Sequence, residues 1–193
     1  FYFPLQVVPE ISANLWAPNS QNFLETIRST AMNLPGKYTL AVKEHPVMVG
    51  WRHPKFYKKI SNLPNVKIVS PSLTSDAIIR NSNCVGVITA SGTTGFESVM
   101  LGKLAFTFAP MFYNVLPISA HINNINHMNK IFRQTITSGK NNIKNDNDLL
   151  QLLSYLIEIS FKLAYSSRWG QQRLEIDPTV LFKEYEKKVR EIK

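Results

Sequence analysis

The sequence predicts an α/β fold: a doubly wound parallel sheet followed by a helical C-terminal tail. Three observations point to it. Short apolar stretches alternate with helix-like stretches over roughly the first 110 residues. The apolar stretches lack polar alternation, as strands covered on both faces do. Each runs into a polar or strained loop, and open parallel sheets bind ligands outside the carboxyl ends of their strands.

"YFPL" reads as a first short strand. "SQNFLETIRSTAMNL" reads as a helix capped by Ser20, with Phe23, Ile27 and Met32 as its apolar positions. "YTLAVKE" is a second strand, and "PKFYKKISNL" a short basic helix or turn. "VKIVS" is a third strand. "TSDAIIRNS" is a helix with Thr74 or Ser75 as cap. "CVGVIT" is a fourth strand, "TGFESVML" a helix and "LAFTF" a fifth strand. From Ala109 the pattern turns helical or irregular. "NDNDLLQLLSYLIEISFKLAY" is a strong amphipathic helix capped by Asn145 or Asp146. A last helix starts at Asp177, with Pro178 at its first position. Its apolar stripe of Val180, Leu181, Tyr185 and Val189 calls for a partner surface. The expected organisation is one domain over 1–193, with 111–193 as its mainly helical tail.

Composition narrows the class. The chain has 193 residues, 44% hydrophobic and 18% charged, which fits a globular domain with a core rather than disorder. The apolar runs are too short for a membrane-spanning helix. One cysteine, Cys84, excludes an internal disulfide and a cysteine-cluster metal site, and permits a reducing compartment. The opening "FYFPL" reads as the middle of a longer protein, with no leader peptide. The formal charge is +9, and residues 1–139 carry 12 Lys and Arg against 5 Asp and Glu. A basic body suits anionic partners such as nucleotides, phosphorylated sugars, nucleic acid or an anionic membrane surface.

Four loops are predicted to share one sheet edge: Leu5–Glu10, "KEHP" (43–46), Ser70–Ser75 and Thr89–Glu97. The last is the most specific. Ser91-Gly92-Thr93-Thr94-Gly95 joins a strand to a helix, where glycines let the backbone approach a ligand and amides and hydroxyls suit phosphate. It has neither the Walker lysine nor the G-x-G-x-x-G spacing. Thr94 and Glu97 also have capping-box spacing, which explains them without a ligand. His45 beside such a loop can donate to a phosphate oxygen. Lys43 and Glu44 read as solvated strand-end charges, with Lys43 adding positive potential. Glu10 is a carboxylate that binds a hydroxyl, serves as a base, or pairs with a cation. His53, His121 and His127 read as ordinary loop or surface residues. No metal is demanded, because helix amides and His45 can offset phosphate charge, and no cofactor is called for.

"YFPLQVVPE", "KEHP", "SPS" and "SGTTGFESVMLGK", in this order, resemble the capsule polysaccharide biosynthesis family over roughly residues 1–110. The family's usual "QPE" is matched loosely by Gln6-Val7-Val8-Pro9-Glu10. The resemblance implies a GT-B glycosyltransferase, in which two Rossmann-like domains face each other, and makes this chain the second, nucleotide-sugar-binding half. Carried over, His45 contacts the nucleotide phosphate and is catalytic with Glu10. Ser91, Gly92, Thr93, Thr94 and Glu97 join it in nucleotide binding, with Ser72 near the ribose or base. The implied partners are a CMP- or UDP-linked sugar, with CMP-Kdo favoured, a lipid-linked or saccharide acceptor, and a first domain that carries the acceptor side. A cytoplasmic setting follows, at the inner membrane face through peripheral association. The alternatives are a UDP-N-acetylglucosamine 2-epimerase-like or CDP-glycerol polymerase-like domain. From another class, a basic nucleic-acid-binding module would use "WRHPKFYKK" (51–59), which reads better as a solvated basic face.

Overall fold

A computed structural model describes residues 1–8, 17, 22–142 and 146–160, together with 183, 186, 187 and 190. The chain forms two compact units, Phe1–Asn145 and Asp146–Lys193. The first holds a six-stranded sheet: β1 (Tyr2–Pro4), β2 (Leu40–Lys43), β3 (Val66–Val69), β4 (Gly86–Thr89), β5 (Leu104–Thr107) and β6 (Ser119–His121). Every pairing is parallel, and the spatial order is β3-β2-β1-β4-β5-β6. The chain moves outward from β1 to β3, then crosses back to β4 and continues the other way. Strand order therefore reverses between β1 and β4, the position at which doubly wound sheets open a crevice at their carboxyl edge.

The helices cover both faces. One layer holds α1 (Phe23–Asn33), α2 (Pro54–Ser61) and α5 (Met128–Asn142); the other holds α3 (Ser75–Arg80) and α4 (Thr93–Met100). β4 and β5 are buried at all four positions, which is why neither shows polar alternation. In the first layer Phe106 packs edge-on against Phe132 of α5, with ring centroids 4.8 Å apart. On the other face Tyr2, Ile79 and Val87 form a buried cluster, joined by Ile78, Cys84 and Leu101.

Local chemistry sets the helix ends. α1 begins at Phe23 with Asn22 as cap, its side chain accepting from Glu25 N. Ser20, the expected cap, lies outside the described residues. Met32 is 69% exposed, so the buried stripe of α1 is Phe23, Ile27 and Ala31 with two threonines. Thr74 caps α3 by accepting from Ala77 N. His53 is not an idle loop residue: its Nδ1 accepts from Lys55 N and caps α2, with Pro54 at the first helical position.

The sheet has one strand more than the sequence pattern indicated. β6 is three residues long and carries Ser119 and His121, so no apolar run announces it. Asn114 makes it possible. Its Oδ1 accepts from Met111 N and Thr107 Oγ1, and its Nδ2 donates to Ser119 Oγ, tying the 3-10 turn Phe112–Val115 to β5 and to the edge strand β6. In the second unit α6 spans Asp146–Ile159. Asn145 and most of the span from Asp177 lie outside the described residues, as does the apolar stripe expected there.

Gly95 in α4 has a packing reason. A Cβ there would stand 2.3 Å from the Tyr113 hydroxyl and 3.2 Å from Thr89 Cγ2. Tyr113 is fully buried and donates to Gly92 O at 3.3 Å. Gly95→Ala is expected to cost about 1–3 kcal/mol in denaturant melts through overpacking. Tyr113→Phe, which removes the clashing oxygen, should recover part of that loss in the double variant.

Candidate functional site at the carboxyl edge

Three of the four predicted loops are joined by hydrogen bonds across the strand-order reversal. Leu5 N donates to Lys43 O at 2.8 Å, continuing the β1–β2 ladder past the strand end. The next residue, Gln6, is buried and serves as the hub. Its Nε2 donates to Ser91 Oγ at 3.3 Å, reaching the loop after β4. Its backbone carbonyl accepts from Arg52 Nη2 at 2.5 Å, reaching the loop after β2. Gln6 Oε1 is buried without a partner among the described residues, a local cost of about 1–3 kcal/mol.

Arg52 is anchored by Glu44. Its Nε donates to Glu44 Oε2 at 2.7 Å, and the two side chains are only 11% and 5% exposed. Tyr57 OH donates to the same oxygen at 2.7 Å, and His45 N donates to Oε1 at 2.7 Å. The guanidinium also lies over the rings of Phe23 and Phe56, at 5.1 and 5.4 Å from their centroids. Glu44 and Lys43, read from sequence as solvated charges, are both buried. The strand end is covered by the loop and α2 packing back over it, so Glu44 needs a partner and Arg52 supplies one. The constellation of Glu44, Arg52 and Tyr57 was missed. The available signal was a carboxylate directly after an apolar strand, with an arginine eight residues later.

Burial, with the bond to Glu44, pushes the Tyr57 phenol up from 10.0 to about 12. The folded state therefore keeps this proton longer than the open chain, and stability drains away as pH rises from about 10 through 12. The same inward turn decides what "WRHPKFYKK" is. Phe56 and Tyr57 point into the packing and Trp51 alone of its aromatics is largely exposed, at 80%. The stretch is not an interleaved basic and aromatic stacking surface.

His45 caps the 3-10 turn Pro46–Met48, its Nδ1 accepting from Val47 N at 3.3 Å. A neutral imidazole with an accepting Nδ1 carries its proton on Nε2. His45 therefore has a fixed orientation and an N–H left to donate. Across the reversal point, α4 starts at Thr93 with Gly92 as a cap that makes no side-chain bond. The expected capping box from Thr94 and Glu97 is not formed, because the helix begins earlier: Thr94 is its second residue and Glu97, exposed, its fifth. The backbone N–H groups of Thr93 and Thr94 have no acceptor among the described residues. They are orphan helix donors at the positive end of the dipole. Gly92 N donates to Thr89 Oγ1 at 3.3 Å, which pins the loop to the strand end.

The other predicted residues fall differently. Ser72 follows β3, at the outer edge of the sheet; it is exposed, and its hydroxyl pairs with Ser70 Oγ at 2.7 Å. None of the described bonds ties it to the other loops. Glu10 lies outside the described residues. His121 Nε2 contacts Phe108 O at 3.3 Å, a structural use in the β5–β6 region. No group of three or more metal-ligating side chains occurs among the described residues.

The fold defines a Rossmann-type domain whose carboxyl edge carries the His45 loop and the open first turn of α4 on either side of its strand-order reversal. The match of residues 1–151 to the family model described as "Capsule polysaccharide biosynthesis protein" shows the chain to belong to that family. Among curated proteins it is similar to Protein FixF of Sinorhizobium fredii (strain NBRC 101917 / NGR234), 27% identical over 135 residues. That match covers 66% of this chain and 31% of FixF, so the chain spans about a third of that relative's length. Among solved structures it is similar to Thermosulfurimonas dismutans KpsC, beta Kdo 2,7 transferase, with 22% identity and a TM-score of 0.49. The match covers 72% of this chain and 43% of KpsC.

Two predictions test this geometry. Arg52→Met leaves Glu44 buried and short of its cation, so it should cost about 3–5 kcal/mol in urea melts, as breaking a buried ion pair does. Adding Glu44→Gln should recover much of it. Tyr57→Phe should flatten the fall in melting temperature between about pH 10 and 12; an unchanged slope would remove Tyr57 from that role.

Proposed function

We propose that this chain is the nucleotide-sugar-binding domain of a glycosyltransferase in capsular or surface polysaccharide synthesis. The observation that carries the reading is the run of contacts that links the His45 loop to the α4 loop across the β1/β4 reversal: His45 N to Glu44, Glu44 to Arg52, Arg52 to the Gln6 carbonyl, and Gln6 Nε2 to Ser91. The donors of these two loops, His45 Nε2–H and the open first turn of α4, suit the phosphate of an activated sugar. A departing nucleotide gathers negative charge on its phosphate oxygens, and donors held by the fold stabilise that charge without reorganising. In this reading His45 and the Thr93 and Thr94 amides hold the phosphate. Ser91, pinned by Gln6, shapes the loop around it. Glu10, Ser72 and Glu97 remain proposed site residues.

Family membership supports the polysaccharide setting, and the 31% coverage of FixF agrees with a domain that works beside another. We propose CMP-Kdo as the donor and a first GT-B domain as the holder of the acceptor, so transfer should require that first domain as well.

Isothermal titration of the 193-residue chain with CMP, CDP, UMP, UDP and a random oligonucleotide tests the reading. At least one nucleotide should bind, and the oligonucleotide should not compete with it. His45→Ala should lose about tenfold or more in affinity, as a bond of roughly 1–3 kcal/mol predicts, with melting temperature unchanged. Thr94→Ala should also leave stability within about 0.5 kcal/mol, because Thr94 is not a cap. No binding of any nucleotide would overturn the proposal.

A further inference from the structure

Lys43 is a cation at this edge that the fold does not pair among the described residues. The residue is 5% exposed, yet no hydrogen bond or ion pair holds its ammonium among the described residues. Its sequence neighbour does not pair with it: successive strand residues point to opposite faces, and Glu44 is engaged by His45 N, Arg52 and Tyr57. The ammonium tip is not among the buried unpaired polar atoms of the described residues, so it keeps some access to solvent; a lysine enclosed this far without a close partner still carries part of the cost of desolvating a charge. Burial accordingly pushes the Lys43 pKa down, against a weaker upward pull from Glu44.

Register shows where this side chain leaves the sheet. Lys43 pairs with Pro4 of β1, as Ala41 pairs with Tyr2. Tyr2 in turn pairs with Val87 of β4, so Thr89 stands level with Pro4 and Lys43. Paired residues of a parallel sheet share a face, and residues two apart along a strand share it too. Lys43 therefore projects on the face of Tyr2 and Val87, the face that α3 and α4 cover. Thr89, which fastens the α4 loop through Gly92, lies in the same row. Only Pro4 separates the two, a gap of about 10 Å at two strand spacings, which the length of a lysine side chain and one anionic group can span.

We propose that Lys43 is an anion-binding residue of the crevice, whose ammonium pairs with a phosphate or carboxylate of the bound activated sugar. The inference rests on the nucleotide-sugar reading and adds to it a charged contact on the β2 side, opposite the α4 amides. The anion is either the nucleotide's own phosphate or an acid group on the sugar, and the two sources give different results below. A cation kept for the ligand explains a fold that encloses the side chain yet leaves its charge unpaired: partial desolvation weakens the empty domain and is compensated on binding.

The test is isothermal titration and thermal melting of the full chain and its Lys43→Met variant, with Lys43→Gln as a second neutral replacement should the methionine variant fail to fold. The probes are CMP, CDP and CMP linked to an acidic sugar. The expected signature is opposed: at least tenfold weaker binding with a melting temperature equal to or above wild type. A loss seen with CMP or CDP assigns the phosphate; a loss confined to the acidic sugar conjugate assigns its carboxylate. Wild type and variant binding all three within twofold would overturn the Lys43 assignment and leave the nucleotide reading standing. So would a variant that melts lower with unchanged affinity, the mark of a structural lysine. Failure of wild type to bind any probe would overturn both.

Discussion

The carboxyl edge depends on one ion pair. Glu44 ends an apolar strand and is buried there, so its charge must be met within the fold. Arg52 meets it, and in doing so fixes three other things: the carbonyl of Gln6, the first ring of α1 at Phe23 and the ring of Phe56 in α2. Tyr57 and the His45 amide complete the carboxylate. The effect is to set the backbone of His45, and its ring is then oriented by Val47 N. Gln6 carries the order onward to Ser91 on the far side of the strand-order reversal. The histidine and the α4 loop are thus positioned by one continuous chain of contacts, none of which requires a ligand.

The glycines of the α4 loop divide along the same line between scaffold and site. Gly95 makes room for Tyr113, whose hydroxyl and ring fill the space a side chain would need. Gly92 sits close to Thr89 Oγ1, where a Cβ would approach to 3.0 Å. What the loop offers an anion is therefore not the openness of its glycines. It offers the amides of Thr93 and Thr94, unpaired among the described residues, at the end of a helix whose first turn is held from behind by a buried tyrosine.

Much of this was legible in the sequence, for physical reasons. Strands covered on both faces must be apolar throughout, so β4 and β5 stood out. Loops at parallel strand ends collect on one edge, so His45 and Thr94 could be placed together before any coordinates. The family was readable from "KEHP" and "SGTTGFE". What failed to show depends on tertiary pairing. β6 has no apolar run because Asn114 satisfies its polar residues from a distance. Glu44 and Arg52 look like surface charges until the loop folds over them. The start of α4 at Thr93 rather than after Thr94 follows from the Thr89 and Tyr113 contacts to Gly92, which no local capping rule contains.

The central claim is that ligand binds at the reversal between β1 and β4. A crystal structure of the chain soaked or co-crystallised with the tightest-binding nucleotide tests it most directly. The account predicts phosphate density within hydrogen-bond distance of the Thr93 and Thr94 amides and His45 Nε2, with the Glu44–Arg52 pair undisturbed. Nucleotide seated elsewhere would contradict it, as in the groove of about 380 Å³ lined by Ala41, Lys67, Leu73 and Ile78.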